Sequence, residues 1–86
     1  MQDFDIYMAK AALLIVDDDA YLRTTLRQQF AAEGFSNISE VGFVADLDLT
    51  LTRVIPDLIL LDVHLPDGDG VDICQRLRRP VLVNQS

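Results

Sequence analysis

Asp62 closes an apolar run, Leu58-Ile59-Leu60-Leu61, that opens after another aspartate, Asp57. Upstream, Leu13-Leu14-Ile15-Val16 ends in Asp17-Asp18-Asp19 in the same way. A short uninterrupted apolar run reads as a strand buried on both faces, as in parallel sheets. In such sheets ligands bind beyond the carboxyl ends of the strands. Side by side, these strands would gather the carboxylates of Asp17, Asp18 and Asp62 at one edge. Like charges that close raise one another's pKa unless a cation neutralises them. Mg²⁺ suits such a cluster, because it is hard, prefers oxygen, and is usually held by one or two carboxylates with waters and a phosphate. A carboxylate in such a place can also act as a nucleophile towards phosphorus. The competing reading is structural, with Asp17 capping a helix and Asp62 merely ending a strand.

The elements that position these residues follow in order. Ala11 to Val16 is the first strand. Ala20 to Glu33 is a helix with Leu22, Leu26 and Phe30 as its apolar stripe. Asp18 or Asp19 caps its start, and Gly34 ends it. Arg23, Arg27 and Gln28 lie off the stripe and read as a solvated polar face. Phe35 to Val41 is a second strand, diluted by Asn37, Ser39 and Glu40, which suits an edge. Phe43 to Ile55 is ambiguous. Val44, Leu47, Leu51 and Val54 fit a helix, while Asp46 to Thr52 alternates like a strand. A parallel crossover needs a helix there, so a helix ended by Pro56 is expected. Asp57 to Asp62 is the third strand. After the loop around Pro66, Gly68 and Gly70, residues 70–79 read as a helix with Val71, Cys74 and Leu77 facing the sheet. Pro80 then leads into Val81-Leu82-Val83, a short tail or a fourth strand.

Together, Leu14-Ile15-Val16-Asp17-Asp18-Asp19, Asp57-Leu58-Ile59-Leu60-Leu61-Asp62, Leu65-Pro66 and Asp69-Gly70 resemble the receiver domain of two-component response regulators. The resemblance covers residues 11–79. It implies a flavodoxin-like α/β fold, here a parallel sheet of three to four strands with flanking helices and the last third of the fold missing. It implies that Asp62 is the phosphoacceptor. It also implies that Mg²⁺ is held by Asp17, Asp18, Asp62 and the backbone carbonyl of His64, and that the partner is a histidine kinase or phosphotransfer protein. The family also uses a Ser/Thr after the fourth strand and a Lys after the fifth. Gln85 and Ser86 stand near the former position, after a shortened connection. Lys10, the only lysine, precedes the first strand and falls at the opposite edge. Phosphorylation of Asp62 is therefore expected to be impaired. The alternative is a receiver-derived interaction or dimerisation module that is not phosphorylated.

Other chemistries fit less well. Asp17-Asp18-Asp19 has the spacing of haloacid dehalogenase-type phosphatases, but Tyr21 stands where Thr or Val is usual in that larger fold. An EF-hand alignment through Asp69-Gly70 puts Leu65 first and Arg76 twelfth, where carboxylates are required. His64 has no second His or Cys beside it, so its ring reads as a solvated loop group. No phosphate-binding Gly loop or nucleophile–histidine pair points to an enzyme.

Composition bounds the rest. With 86 residues and one cysteine, the chain makes one small domain without an internal disulfide. Cys74 reads as a small core residue. The net charge of −7 argues against nucleic acid binding. No apolar run reaches the roughly 18 residues of a membrane span, and the N-terminus lacks a basic start, so a cytoplasmic location is expected. Residues 1–10, which include Phe4, Ile6, Tyr7 and Met8, are either a frayed leader or an arm packed on this or a neighbouring subunit. An open edge on the third strand would be a template for pairing. A homodimer is therefore expected, joined at that edge or through exchange of residues 80–86. Light scattering at micromolar concentration should give twice the chain mass; a monodisperse monomer would refute it.

Overall fold

The computed structural model describes residues 3–62 and 81–84. The expected loop at 63–70 with His64, the helix at 70–79 with Cys74, and Pro80, Gln85 and Ser86 lie outside the described residues. The elements are α1 (Asp3–Lys10), β1 (Ala12–Val16), α2 (Ala20–Glu33), β2 (Asn37–Val41), α3 (Val44–Thr50), β3 (Leu58–Asp62) and β4 (Val81–Asn84).

The strands form a four-stranded sheet in the order β2-β1-β3-β4, and every pairing is parallel. This is the start of the flavodoxin-like order, in which the chain reverses direction across the sheet between β1 and β3. β1 is central and buried along its whole length. Its side chains alternate between two cores, as strand geometry requires. Leu14 and Val16 join Val41, Leu47, Ile59 and Leu61 on one face, with Val44 and Leu51 of the α3 region against them. Leu13 and Ile15 join Met8, Ala11 and Phe35 on the other, with Leu26 and Phe30 of α2 against them. Helices therefore cover both faces.

β3 is less enclosed than its apolar run suggests. Ile59 and Leu61 are buried, but Leu58 and Leu60 on the opposite face are only half-buried. The edge of β3 is also not open. β4 pairs along it from Ile59↔Val81 to Asp62↔Asn84. A dimer made by pairing onto that edge is thus corrected: the chain covers the edge itself.

α2 begins at Asp19, whose carboxylate accepts from the N–H groups of Tyr21 and Leu22 at 2.9 and 3.1 Å. It ends at Gly34, with φ of 120°, a conformation that disfavours a side chain. Its stripe is half-buried rather than buried. Arg27 and Gln28 are exposed, as a solvated face requires, and Arg23 is half-buried. Both arginines approach Glu40 of β2, which ties that face to the sheet edge.

α3 is shorter than the expected span of residues 43–55. Phe43 at its start offers no capping side chain. At its end the Thr52 hydroxyl bonds the Leu49 carbonyl at 2.6 Å, and turns replace the helix. Pro56 also steers Ile55 away from helical geometry, leaving Ile55 71% exposed.

Residues 3–10 form a helix on this chain. Met8 is buried against Phe35, and its side chain passes over Gly34. The Ser36 hydroxyl donates to the Ala9 carbonyl at 2.8 Å. At the same end of the sheet, Ala12 and Asp57 are doubly tied. The Ala12 N–H donates to the Asp57 carboxylate, and the Asp57 N–H donates to the Ala12 carbonyl, both at 2.8 Å.

The burial pattern predicts a sharp contrast between two aliphatic truncations. Leu14→Ala, at a site with 0% exposure, should cost about 2–5 kcal/mol in urea unfolding. Ile55→Ala should stay within about 0.5 kcal/mol. Equal effects would contradict this packing.

Candidate functional site

The register builds the site. Val16 of β1 pairs with Leu61 of β3, so the next residues, Asp17 and Asp62, come level at the carboxyl edge. That edge, between β1 and β3, is the switch point where open α/β sheets bind ligands. Asp17, Asp18 and Asp62 each offer a carboxylate oxygen, and these atoms all lie within 4.8 Å of one another. Asp17 and Asp62 are buried, at 3% and 5% exposure, while Asp18 is exposed. A hollow of about 480 Å³ opens over them, lined by Asp17, Asp18, Asp19, Tyr21, Leu22 and Asp62. A water occupies roughly 30 Å³ of liquid, so the hollow has room for a hydrated ion and a phosphoryl group together.

The turn between β1 and α2 is held from several sides. The Asp17 N–H continues the ladder to the Val41 carbonyl at 3.0 Å. The Asp17 carboxylate accepts from the Asp19 N–H at 2.9 Å. The Asp17 carbonyl accepts from Arg23 Nη1 at 2.6 Å. Asp19 faces the helix as its cap, which leaves Asp18 to join Asp17 and Asp62.

Burial pushes the Asp17 carboxyl above its ordinary value of 3.8; the Asp19 N–H opposes this, and the charges of Asp62, Asp18 and Asp19 reinforce it. The donor set is all-oxygen, anionic and largely desolvated. A cluster of this kind fits a hard divalent cation.

Of the residues that sequence reasoning assigned to the site, Asp17, Asp18 and Asp62 are brought together, and His64 lies outside the described residues. Arg23 was overlooked. The signal was its position, one helical turn after the Asp19 cap. Side chains on a helix lean towards its N-terminus, so Arg23 leans towards the end of β1.

A parallel sheet with helices on both faces and an acidic cluster at its switch point defines a doubly wound α/β domain. Residues 13–83 match the response regulator receiver domain. The chain is 35% identical over 71 residues to sporulation initiation phosphotransferase F of Bacillus subtilis (strain 168), covering 83% of this chain and 56% of that protein. It is 37% identical over 76 residues to response regulator MprA of Mycobacterium sp. (strain KMS), covering 83% of this chain and 33% of that protein. Among solved structures it superposes on the MaeR response regulator bound to beryllium trifluoride with a TM-score of 0.80 and 30% identity, over 86% of this chain and 66% of that one. The chain belongs to the response regulator receiver domain family, a family of signalling modules. It spans about half the length of the first of these relatives and a third of the second.

The raised carboxyl of Asp17 has a signed consequence. An acid whose pKa is higher folded than unfolded favours the fold below its unfolded value and loses that contribution as pH rises through the folded one. Asp17→Asn removes the charge and keeps an acceptor for the Asp19 N–H. In chelator it should melt higher than wild type at pH 7, with the gain fading as pH falls towards 3.8. A lower melting temperature for the variant at pH 7 would contradict the assignment.

Proposed function

We propose that this chain is a phosphoacceptor module of a two-component pathway in the cytoplasm. Asp62 takes a phosphoryl group from a histidine kinase or phosphotransfer protein. Asp17, Asp18, Asp62 and the His64 backbone carbonyl hold Mg²⁺ beside it. The observation that carries this reading is the pair of buried aspartates on adjacent strands, with Asp18 alongside, at the switch point.

In the reaction, a carboxylate oxygen of Asp62 attacks phosphorus in line with the leaving group. A new O–P bond forms as the donor's bond to phosphorus breaks. The leaving group departs with the electron pair and takes a proton from solvent. Mg²⁺, when bound, would supply positive charge to offset that of the phosphoryl group. Asp17 and Asp18 would hold it, and the Asp19 N–H keeps the Asp17 carboxylate in place. Burial of Asp62 keeps its carboxylate thinly hydrated, which strengthens every charge interaction around it. The similar MaeR regulator is bound to beryllium trifluoride, a fluoride that copies a phosphoryl group in shape, and this supports the same chemistry here.

If the chain dimerises, exchange of residues 80–86 is the form that suits the sheet, since an exchanged β4 would make the same register with the partner's β3.

Incubation with Mg²⁺ and acetyl phosphate should add one phosphoryl group by intact mass, and Asp62→Asn should add none. Calorimetry or NMR should show Mg²⁺ binding in the millimolar range or tighter. An adduct on Asp62→Asn would overturn the phosphoacceptor assignment. Mg²⁺ binding with no adduct on wild type would favour the interaction-module reading.

A further inference from the structure

We propose that Arg23 is a positioning residue for the acidic cluster: its guanidinium fixes the Asp17–Asp18 peptide plane and thereby aims the Asp18 carboxylate. This rests on the reading that the cluster holds Mg²⁺.

The distances assign separate roles to the arginines of α2. Arg27 Nε holds Glu40 at 2.6 Å, and Arg27 Nη2 donates to the Ile38 carbonyl at 2.8 Å. Glu40 is thus already engaged. Arg23 Nε lies 3.5 Å from the other Glu40 oxygen and, although buried, makes no hydrogen bond. The close contact of Arg23 is Nη1 to the Asp17 carbonyl, at 2.6 Å. Glu40 orients the guanidinium loosely, and the carbonyl receives its hydrogen bond.

That carbonyl belongs to the peptide joining Asp17 to Asp18. A peptide unit is planar, so fixing its oxygen, with β1 fixing the Asp17 side, sets where the Asp18 chain departs. Asp17 needs little such help, because burial and the Asp19 N–H already hold it. Asp18 is exposed, and packing does not aim it. A bond to its own peptide plane does.

Gly42 supports the same assignment. A Cβ there would stand 3.1 Å from Arg23 Nη1 and 3.8 Å from the Asp17 carbonyl oxygen. Among the described glycines only Gly34 has a positive φ, so Gly42 supplies room rather than backbone freedom. The room is taken by the guanidinium.

The test uses Arg23→Met, which keeps the stem, and Gly42→Ala, which keeps the charge and crowds the clamp. It has two readouts on the full chain: Mg²⁺ affinity by calorimetry, and hydrogen exchange of the Asp19 amide without Mg²⁺. Arg23→Met should bind Mg²⁺ about tenfold more weakly, the scale of losing a partner behind a ligand, and Gly42→Ala, which displaces the guanidinium by only a few tenths of an ångström, should weaken binding by less. The Asp19 amide should exchange about tenfold faster while that of Ile15 keeps its wild-type rate. Arg23→Lys, with one charged donor, should recover part of each effect. Wild-type Mg²⁺ affinity in both variants would overturn the proposal, as would equal acceleration at Asp19 and Ile15, which would mean general loosening. If wild type itself fails to bind Mg²⁺, the metal reading falls, and an unchanged Asp19 exchange rate in Arg23→Met would then overturn the clamp separately.

Discussion

Everything at the functional edge depends on one register. Because Val16 lies beside Leu61, the apolar runs of β1 and β3 stop at the same height. Two carboxylates then share a buried corner. A slip of one residue would turn the side chains of β3 to the opposite face and take Asp62 away from Asp17. The register is fixed at its far end by the reciprocal bonds of Ala12 and Asp57. Along its length it is held by Leu14, Val16, Ile59 and Leu61 in one core. Aliphatic packing therefore decides where the charges meet.

The chain sustains this crowding by distributing it. Asp19 is diverted into the cap of α2, where the helix dipole favours a negative charge. Asp17 receives the Asp19 N–H. Asp18 remains in contact with solvent. Three neighbouring residues of one type thus have three environments, and only the geometry around the turn distinguishes them.

The sheet, its parallel sense and the acidic edge were legible in the sequence because strands buried at the centre of a sheet cannot alternate with polar residues. Leu13 to Val16 and Leu58 to Leu61 carry that mark plainly. The length of α3 was not legible. Its alternating Asp and Thr residues suit two periods, and the outcome turned on a Thr52 hydroxyl bonding a carbonyl three residues back. The roles of Arg23 and Arg27 were also hidden, since a helix pattern shows which side is polar but not that Glu40 of the edge strand stands opposite. Nor does composition separate Met8 in a buried seat from a methionine in a loose leader. That depended on the side chain missing at Gly34.

All four strands point the same way, so the domain has two chemically distinct poles. The amino pole is closed by α1, Met8 and the Asp57 tie. The carboxyl pole gathers the acids and the Arg23 clamp. A mutational landscape of this chain would divide by strand direction as well as by depth. Buried positions near the amino pole would behave as ordinary core. Asp17 and Asp62, equally buried at the other pole, would not, because there the enclosed side chains are carboxylates and not aliphatic groups.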